Sequence, residues 1–231
     1  MSRPLLLLLG GSFNPPHSGH LRIAIETAEA LRPELTLLIP CAHPPHKPDG
    51  NLLPFALRVR MLEAAIADMA PGASAFAVSE VENEREGPSY TVDTLAVLGG
   101  RYPGLRPVFV MGGEDYAQLS SWRRWRDIPA LADLAVLPRS SGGEASFCNS
   151  TLAFWPEARF LAPPVPAVRH AFMLPAGGRC LYLPQPQLDI SSSLVRERLL
   201  QGRSLDFLVP SGVARLLREH EKDVKALWAE G

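Results

Sequence analysis

Two histidines, His17 and His20, lie where an apolar segment and a glycine-rich turn lead into a predicted helix. The apolar run Leu5 to Leu9 predicts a buried strand, and the spacing of apolar residues from His20 to Leu31 predicts an amphipathic helix. The start of a helix exposes unpaired backbone N–H groups and carries partial positive charge, which attracts phosphate. The strand, the turn and the two imidazoles therefore predict a phosphate-binding site.

The protonation state expected for His20 follows from the same helix start. Positive potential disfavours the imidazolium form, so a neutral His20 is expected to donate a hydrogen bond to a phosphate oxygen. The turn Gly10 to Pro16 matches neither the G-x-G-x-x-G dinucleotide motif nor the phosphate loop that ends in a lysine at the helix start. Histidine stands here in place of that lysine.

A second candidate anion site lies near the other end of the sequence, at Ile190 to Arg196. It follows a predicted strand and begins a predicted helix, so serine hydroxyls and free N–H groups can bind a polyphosphate there. Arg196, about one turn into the helix, is placed to donate two hydrogen bonds to the same phosphates. Ordinary N-capping by Ser191 or Ser192 is the alternative interpretation.

Both segments resemble motifs of the nucleotidyltransferase superfamily. Gly10 to His20 is similar to its H-x-G-H signature, and Ile190 to Arg196 is similar to its I-S-x-T-x-x-R motif, with Ser193 in the threonine position. Within that superfamily, three further stretches resemble bacterial nicotinate-nucleotide adenylyltransferases: Pro44 to Lys47, Pro88 to Leu95, and Gly113 to Asp115 followed by Trp122 and Trp125. The resemblance covers most of residues 5–139 and again 188–220.

The resemblance implies transfer of the adenylyl group of ATP to nicotinate mononucleotide, giving deamido-NAD and pyrophosphate. It implies His17, His20 and Arg196 as catalytic residues. Mg²⁺ is expected to arrive with the ATP phosphates, and no dedicated protein ligand for it is predicted.

The resemblance also implies two sets of binding residues. ATP is expected to contact Gly10, Gly11, Ser12, Phe13, His17, His20, Asp115, Arg139, Ser191, Ser192 and Arg196. The mononucleotide is expected to contact Asn14, His46, Lys47, Ser89, Tyr90, Thr91 and Trp122. A carboxylate bound by the backbone N–H of Tyr90 or Thr91 would favour nicotinate over nicotinamide.

Several of these residues also have a plain structural interpretation. The alternatives are a solvated loop tip for His46 and Lys47, a helix cap for Asp115 and Thr91, core packing for Trp122, and a surface role for Arg139. Trp125 is expected in the core.

Three rival functions stay open from the sequence. The first is the same adenylyl transfer to nicotinamide mononucleotide or another phosphate acceptor. The second is a class I aminoacyl-tRNA synthetase, but the chain has neither a Lys-Met-Ser-Lys-Ser-like loop nor a basic bias. The third is a nucleotide-binding protein without turnover, against which the retained His17, His20 and Arg196 argue.

The composition gives no electrostatic reason to expect nucleic acid or a membrane surface as a partner, since 231 residues carry a formal net charge of −1. The leucine run near Met1 is too short for a signal peptide or a membrane span, and no cleavage pattern follows it.

The three cysteines, Cys41, Cys148 and Cys180, are widely separated and fit neither a disulfide framework nor a zinc site, so a cytoplasmic location is expected. Cys41 is interpreted as a loop thiol, with a nucleophile as the alternative. A homo-oligomer is left open.

Alternating predicted strands and helices indicate a Rossmann-like α/β fold, a doubly wound parallel sheet with helices on both faces, in a single domain of residues 1–231. Ligands of such sheets bind beyond the carboxyl ends of the strands.

Three segments have predictions of their own. A short helical stretch is expected from Asp115 through Trp125. The Pro-rich insertion at about 140–178 is expected to be either a lid or substrate loop, or elements too weakly patterned to recognise. The C-terminal segment, about 190–231, is expected to be helical with a polar tail.

Overall fold

The architecture comes from a computed structural model, which describes residues 3–45, 51–69, 75–138, 143–186 and 188–229. Their core is an eight-stranded sheet with the order β3-β2-β1-β4-β5-β8-β7-β6. The strands are β1 Leu5–Gly11, β2 Leu35–Pro40, β3 Ala75–Val78, β4 Arg106–Gly112, β5 Asp133–Leu137, β6 Arg159–Leu161, β7 His170–Met173 and β8 Arg179–Tyr182.

The strands from β3 across to β8 run parallel, and β7 and β6 extend the β8 side in antiparallel fashion. Apolar runs suit the central strands because helices cover both faces of such a sheet. In β1, Leu7 and Leu9 pack into one core cluster while Leu6 and Leu8 pack into the other. The predicted doubly wound, mostly parallel sheet is confirmed.

The helices divide between the two faces. One core cluster draws residues from α1, α2, α7, α8 and α9, and the other draws residues from α3, α4, α5 and α6. Their bounds are α1 Ser18–Leu31, α2 Phe55–Ala67, α3 Thr91–Arg101, α4 Gly113–Ala117, α5 Ile128–Leu131, α6 Gly143–Phe154, α7 Ser192–Leu200, α8 Ser211–Glu219 and α9 Glu221–Ala229.

The strand order reverses beside β1, which pairs with β2 on one side and with β4 on the other. The register places Gly11 opposite Pro40, and Gly112 opposite Leu137. The loops that follow these strands therefore open at the same edge of the sheet. Crevices at such a reversal point are where sheets of this kind bind ligands.

The Pro-rich insertion is not irregular in its described part. It forms α6 and then the strands β6 and β7, which pair with each other and with β8. These strands span only three and four residues, too few for a period-2 pattern to stand out. The insertion thus holds elements that the sequence pattern did not reveal.

Two other segments differ from the sequence prediction. The helical stretch expected from Asp115 through Trp125 is the short α4 followed by single 3₁₀ turns at Leu119–Ser121 and Trp125–Asp127. The expected polar tail is helix α9, which buries Val224 and Trp228 against the core. Two apolar residues one turn apart suffice to fold a mostly polar segment onto a neighbour.

Asp133 anchors the amino-terminal ends of three strands. Its fully buried carboxylate accepts hydrogen bonds from the side chain of Arg106 on β4 and from the side chain and backbone of Arg179 on β8, at 2.5–2.8 Å. Burial alone would raise the pKa of Asp133, but the bonds from the two arginines outweigh it and hold the pKa below its ordinary value.

We expect Asp133→Asn to lower the free energy of unfolding by about 3 kcal/mol at pH 7, because two partly buried guanidinium groups lose their anion. The contribution of Asp133 is complete above the ordinary Asp range of about pH 4 and is lost as the pH falls through the lower folded-state pKa. Urea titrations should therefore show that the difference in free energy of unfolding between wild type and variant becomes smaller as the pH falls. Asp127→Asn, which removes an exposed partner of Arg124, is the control and should cost at most about 1 kcal/mol. Equal stability of the Asp133 variant and wild type would contradict the assignment.

Candidate active site

His17 and His20 form a stacked pair at the start of α1. His17 is the N-cap residue and is 3% exposed. Its backbone N–H donates to Nδ1 of His20 at 3.2 Å, and the ring centroids lie 3.6 Å apart. Because Nδ1 accepts this bond, a neutral His20 carries its proton on Nε2. The geometry therefore suits the predicted role of His20 as a neutral donor.

The glycines of this segment make room for the rings. A Cβ at Gly19 would lie 3.0 Å from Nδ1 of His17 and 3.4 Å from the carbonyl oxygen of Ile190. A Cβ at Gly11 would lie 3.3 Å from the ring of Phe13, which in turn packs edge-on against His20. The spacing of the motif thus reflects close packing around the two imidazoles. Gly10 is the residue before Gly11 within β1.

The second predicted anion site lies directly against the first. Arg196 donates from Nη1 to the carbonyl of Asn14 at 2.8 Å, and from Nη2 to the hydroxyl of Ser193 at 2.9 Å. The hydroxyl of Ser192 donates to the carbonyl of Pro15 at 3.0 Å. The two segments, far apart in the chain, therefore meet in one place.

The positive charge of Arg196 is available to a ligand. The side chain is half-buried, and burial lowers its pKa, although an arginine still remains protonated. Its described hydrogen-bond partners are a carbonyl and a hydroxyl, neither of which carries charge. Ser191 is the N-cap of α7 and accepts from the N–H of Leu194 at 3.1 Å, so the capping interpretation holds for that serine.

A third contact fixes the start of α1 to the C-terminal part of the chain. Ser18 donates from its backbone N–H to the carbonyl of Leu208 at 2.8 Å, and from its hydroxyl to the carbonyl of Phe207 at 3.0 Å. Phe207 has a left-handed backbone, with φ 63°, and the residue is 93% exposed. The segment after α7 thus holds Ser18, one of the two residues between the histidines.

Three residues predicted to contact the mononucleotide, Ser89, Tyr90 and Thr91, lie at the start of α3. Ser89 and His43 exchange two bonds, since the N–H of Ser89 donates to the His43 carbonyl at 2.9 Å and the N–H of His43 donates to the Ser89 hydroxyl at 3.1 Å. Tyr90 is the N-cap of α3, and Thr91 is its first residue. The N–H groups of a first helical turn have no acceptor within the helix, so they suit a carboxylate.

Two other predicted contacts, Asp115 and Trp122, follow β4 in the chain. Trp122 is half-buried and meets Phe109 edge-on, with ring centroids 6.2 Å apart. Asp115 is exposed in the first turn of α4, where Gly112 is the N-cap. Trp125 is buried, as predicted for a core residue. The predicted contacts His46, Lys47 and Arg139 lie outside the described residues.

Asn14 uses its side chain within the protein. Its Nδ2 donates to the carbonyl of Asn51 at 2.8 Å, and its Oδ1 accepts from the N–H of Leu53 at 2.9 Å. The carbonyl of Asn51 also accepts from the indole N–H of Trp228 in α9. Asn14 therefore fastens the loop before α2, and its contact with a mononucleotide stays a prediction.

Close to the candidate site, sequence reasoning missed the buried charged residues Arg58 and Glu82. Arg58 of α2 is 1% exposed and donates to three backbone carbonyls. Glu82 is 8% exposed and accepts from the hydroxyl of Thr94 at 2.8 Å. In sequence Arg58 resembles the nearby exposed Arg60, and only the fold distinguishes them.

Cys41 has the properties of a loop thiol. Burial, followed by the negative charge of Glu82, raises its pKa to about 12. A nucleophilic cysteine needs the opposite shift, so the nucleophile alternative is not supported.

A cavity of about 880 Å³ lies at the opposite edge of the sheet, where Leu5, Arg106, Asp133 and Arg179 begin their strands. Its position at the amino ends of the strands separates it from both anion sites.

Within the described ranges, no group of three or more His, Cys, Asp or Glu side chains could hold a metal ion. Over the same ranges, no helix has the length and apolarity needed to cross a membrane.

Comparison with protein families matches residues 8–198 to the cytidylyltransferase-like family. Among similar proteins, the probable nicotinate-nucleotide adenylyltransferase of Syntrophotalea carbinolica is 38% identical, over 92% of this chain and 94% of the relative. The protein of the same description from Maridesulfovibrio salexigens is 31% identical, over 96% of this chain and 98% of the relative.

Solved structures agree on the fold. The Plasmodium falciparum nicotinic acid mononucleotide adenylyltransferase complexed with NaAD has a TM-score of 0.71 at 16% identity, covering 96% of this chain and 98% of its own. A putative nicotinate-nucleotide adenylyltransferase from Vibrio parahaemolyticus has a TM-score of 0.63 at 18% identity, covering 99% of this chain and 97% of its own.

We expect Cys41 to resist alkylation in the folded protein. With a pKa of about 12, only about one thiol in ten thousand is ionised at pH 8. Peptide mapping after brief iodoacetamide treatment at pH 8 checks this, and protein unfolded in urea is the control, in which Cys41 should react readily. Comparable labelling of Cys41 in both states would contradict the burial argument.

Proposed function

We propose that this chain, which belongs to the cytidylyltransferase-like family and within it to the nicotinate-nucleotide adenylyltransferases, transfers the adenylyl group of ATP to nicotinate mononucleotide. The products are deamido-NAD and pyrophosphate, which places the reaction in NAD biosynthesis. One observation carries the assignment to this site: Arg196 and Ser192 bond the backbone of Asn14 and Pro15, directly before the histidine pair.

The reaction needs no nucleophile from the protein. A phosphate oxygen of the mononucleotide attacks the α-phosphorus of ATP, and a new P–O bond forms there. The bond from the α-phosphorus to the oxygen bridging to the β-phosphate breaks, and pyrophosphate leaves with the electron pair. Catalysis then consists of positioning the two phosphates in line and stabilising the charge that develops.

The two anion sites divide this task. His20, with its proton on Nε2, donates to the reacting phosphate, and the N-terminus of α1 adds partial positive charge. Arg196 and the first turn of α7 hold the β- and γ-phosphates that leave. Mg²⁺ enters as part of the ATP substrate, since it prefers phosphate oxygens and water, and no dedicated protein ligand is proposed for it.

The acceptor is proposed to lie across the reversal point, with its phosphate at the histidines and its pyridine ring at the start of α3. The N–H groups of Tyr90 and Thr91 favour the carboxylate of nicotinate over the neutral amide of nicotinamide. Trp122 supplies an aromatic face for the ring. The unpaired cysteines are in keeping with the proposed cytoplasmic location.

Pyrophosphate release tests the function directly. Purified protein with ATP and Mg²⁺ should release pyrophosphate rapidly with nicotinate mononucleotide and more slowly with nicotinamide mononucleotide. Faster turnover with nicotinamide mononucleotide would mean that this nucleotide, and not nicotinate mononucleotide, is the acceptor. ATP binding in calorimetry without turnover on either acceptor would overturn the enzymatic assignment.

We expect His20→Ala to lower kcat by about 100- to 1,000-fold, the usual cost of removing one preorganised donor. Circular dichroism and thermal unfolding should show that the variant remains folded, because His20 is only partly buried. His220→Ala, at the end of α8, is the control and should keep wild-type turnover. A folded His20 variant with near-normal kcat would remove this residue from the mechanism.

A further inference from the structure

Arg58 joins three separate backbone segments through one guanidinium group. Nη1 donates to the carbonyl of Ser12 at 2.9 Å and to the carbonyl of Cys41 at 2.8 Å, while Nε donates to the carbonyl of Leu53 at 3.0 Å. Ser12 begins the loop that leads to the histidines. Cys41 and Leu53 stand at the two ends of the loop between β2 and α2. We call this set of bonds the Arg58 clamp.

The clamp costs free energy to build. A guanidinium that is 1% exposed has left water, and burial lowers the pKa of Arg58 accordingly. Its described hydrogen-bond partners are carbonyls rather than a carboxylate, and the charge of Glu82 and the ring of Phe55, 5.2 Å from Cζ, offset part of the cost. An apolar residue would fill a core position at lower cost. Arginine provides what an apolar residue cannot: a planar, rigid guanidinium group whose N–H donors bond three carbonyls at once.

The segments that the clamp joins lead to opposite ends of the proposed acceptor. From Ser12 the chain continues to His17 and His20, at the phosphate. From Cys41 it continues to His43, which exchanges two bonds with Ser89, the residue before the N-cap of α3. Nη1 thus links the phosphate end to the pyridine end, beside the backbone bond from the N–H of Cys41 to the carbonyl of Gly11 at 2.8 Å.

The part of the loop nearest α7 has anchors of its own. The loop at Asn14 and Pro15 is fixed to α7 by Arg196 and Ser192, and the start of α1 is fixed by Leu208. None of these contacts passes through Arg58.

We propose that Arg58 is a positioning residue that sets the spacing between the phosphate and pyridine ends of the acceptor site, and so governs mononucleotide binding but not ATP binding. The inference rests on the proposed function. Misplacing a reacting group by about 1 Å can cost about 100-fold in rate, so a small change in the clamp should be measurable.

Arg58→Lys keeps the charge but cannot hold three carbonyls. We expect KM for nicotinate mononucleotide to rise about tenfold or more, with KM for ATP within about twofold of wild type. Arg60→Lys, the exposed arginine of the same helix, is the matched control and should change neither constant. Arg196→Lys should have the opposite effect and raise KM for ATP more than KM for nicotinate mononucleotide.

Two results for Arg58→Lys would overturn the positioning role. One is a loss of thermal stability with both KM values unchanged, and the other is an equal rise of the two KM values. If Arg58→Lys does not fold, Arg58→Gln, a neutral side chain that can still donate to a carbonyl, takes its place and should give the same split; equal effects on the two KM values there would also overturn the positioning role. Failure of the proposed function is distinguishable, because wild-type protein would then release no pyrophosphate with this acceptor.

Discussion

The site depends on how the backbone carbonyls between β1 and α1 are satisfied. A loop that binds phosphate must keep its N–H groups free for the ligand, and its carbonyls then need donors elsewhere. Three side chains provide them: Arg58 at Ser12, Arg196 at Asn14, and Ser192 at Pro15. Two of these donors are cations, which also offset the partial negative charge of the carbonyls near the anionic ligands. Binding and folding are therefore served by the same bonds.

The two edges of the sheet carry different tasks. At the carboxyl edge, polar loops converge, and several of their side chains bond to the backbone of a neighbouring loop. At the amino edge, Asp133 accepts five bonds from two arginines and joins β4, β5 and β8. A buried pair of this kind is expensive to break, whereas the carboxyl edge is held by many weaker bonds.

Much of the fold was predictable from the sequence, and so was the pairing of the two motifs. The long apolar runs of β1, β2 and β4 are buried on both faces, which gives them a clear signal. The strands β6 and β7 have no such signal, because they are short and lie at an edge. Arg58 was missed for a different reason: its burial comes from loops that close over it, and no local pattern records that. The capping role of Ser191 was foreseen as an alternative, but the engagement of Asn14 with Asn51 and Leu53 was not.

The contacts of Ser192 and Arg196 with the histidine loop span 177 and 182 positions of the chain. On a ribosome, the loop before α1 emerges long before Ser192 and Arg196 do, because synthesis begins at the amino terminus. During that interval, water takes the place of Ser192 and Arg196 as the donor to the carbonyls of Pro15 and Asn14. The proposed site is therefore completed only after α7 has been made, when all eight described strands of the sheet have already left the ribosome.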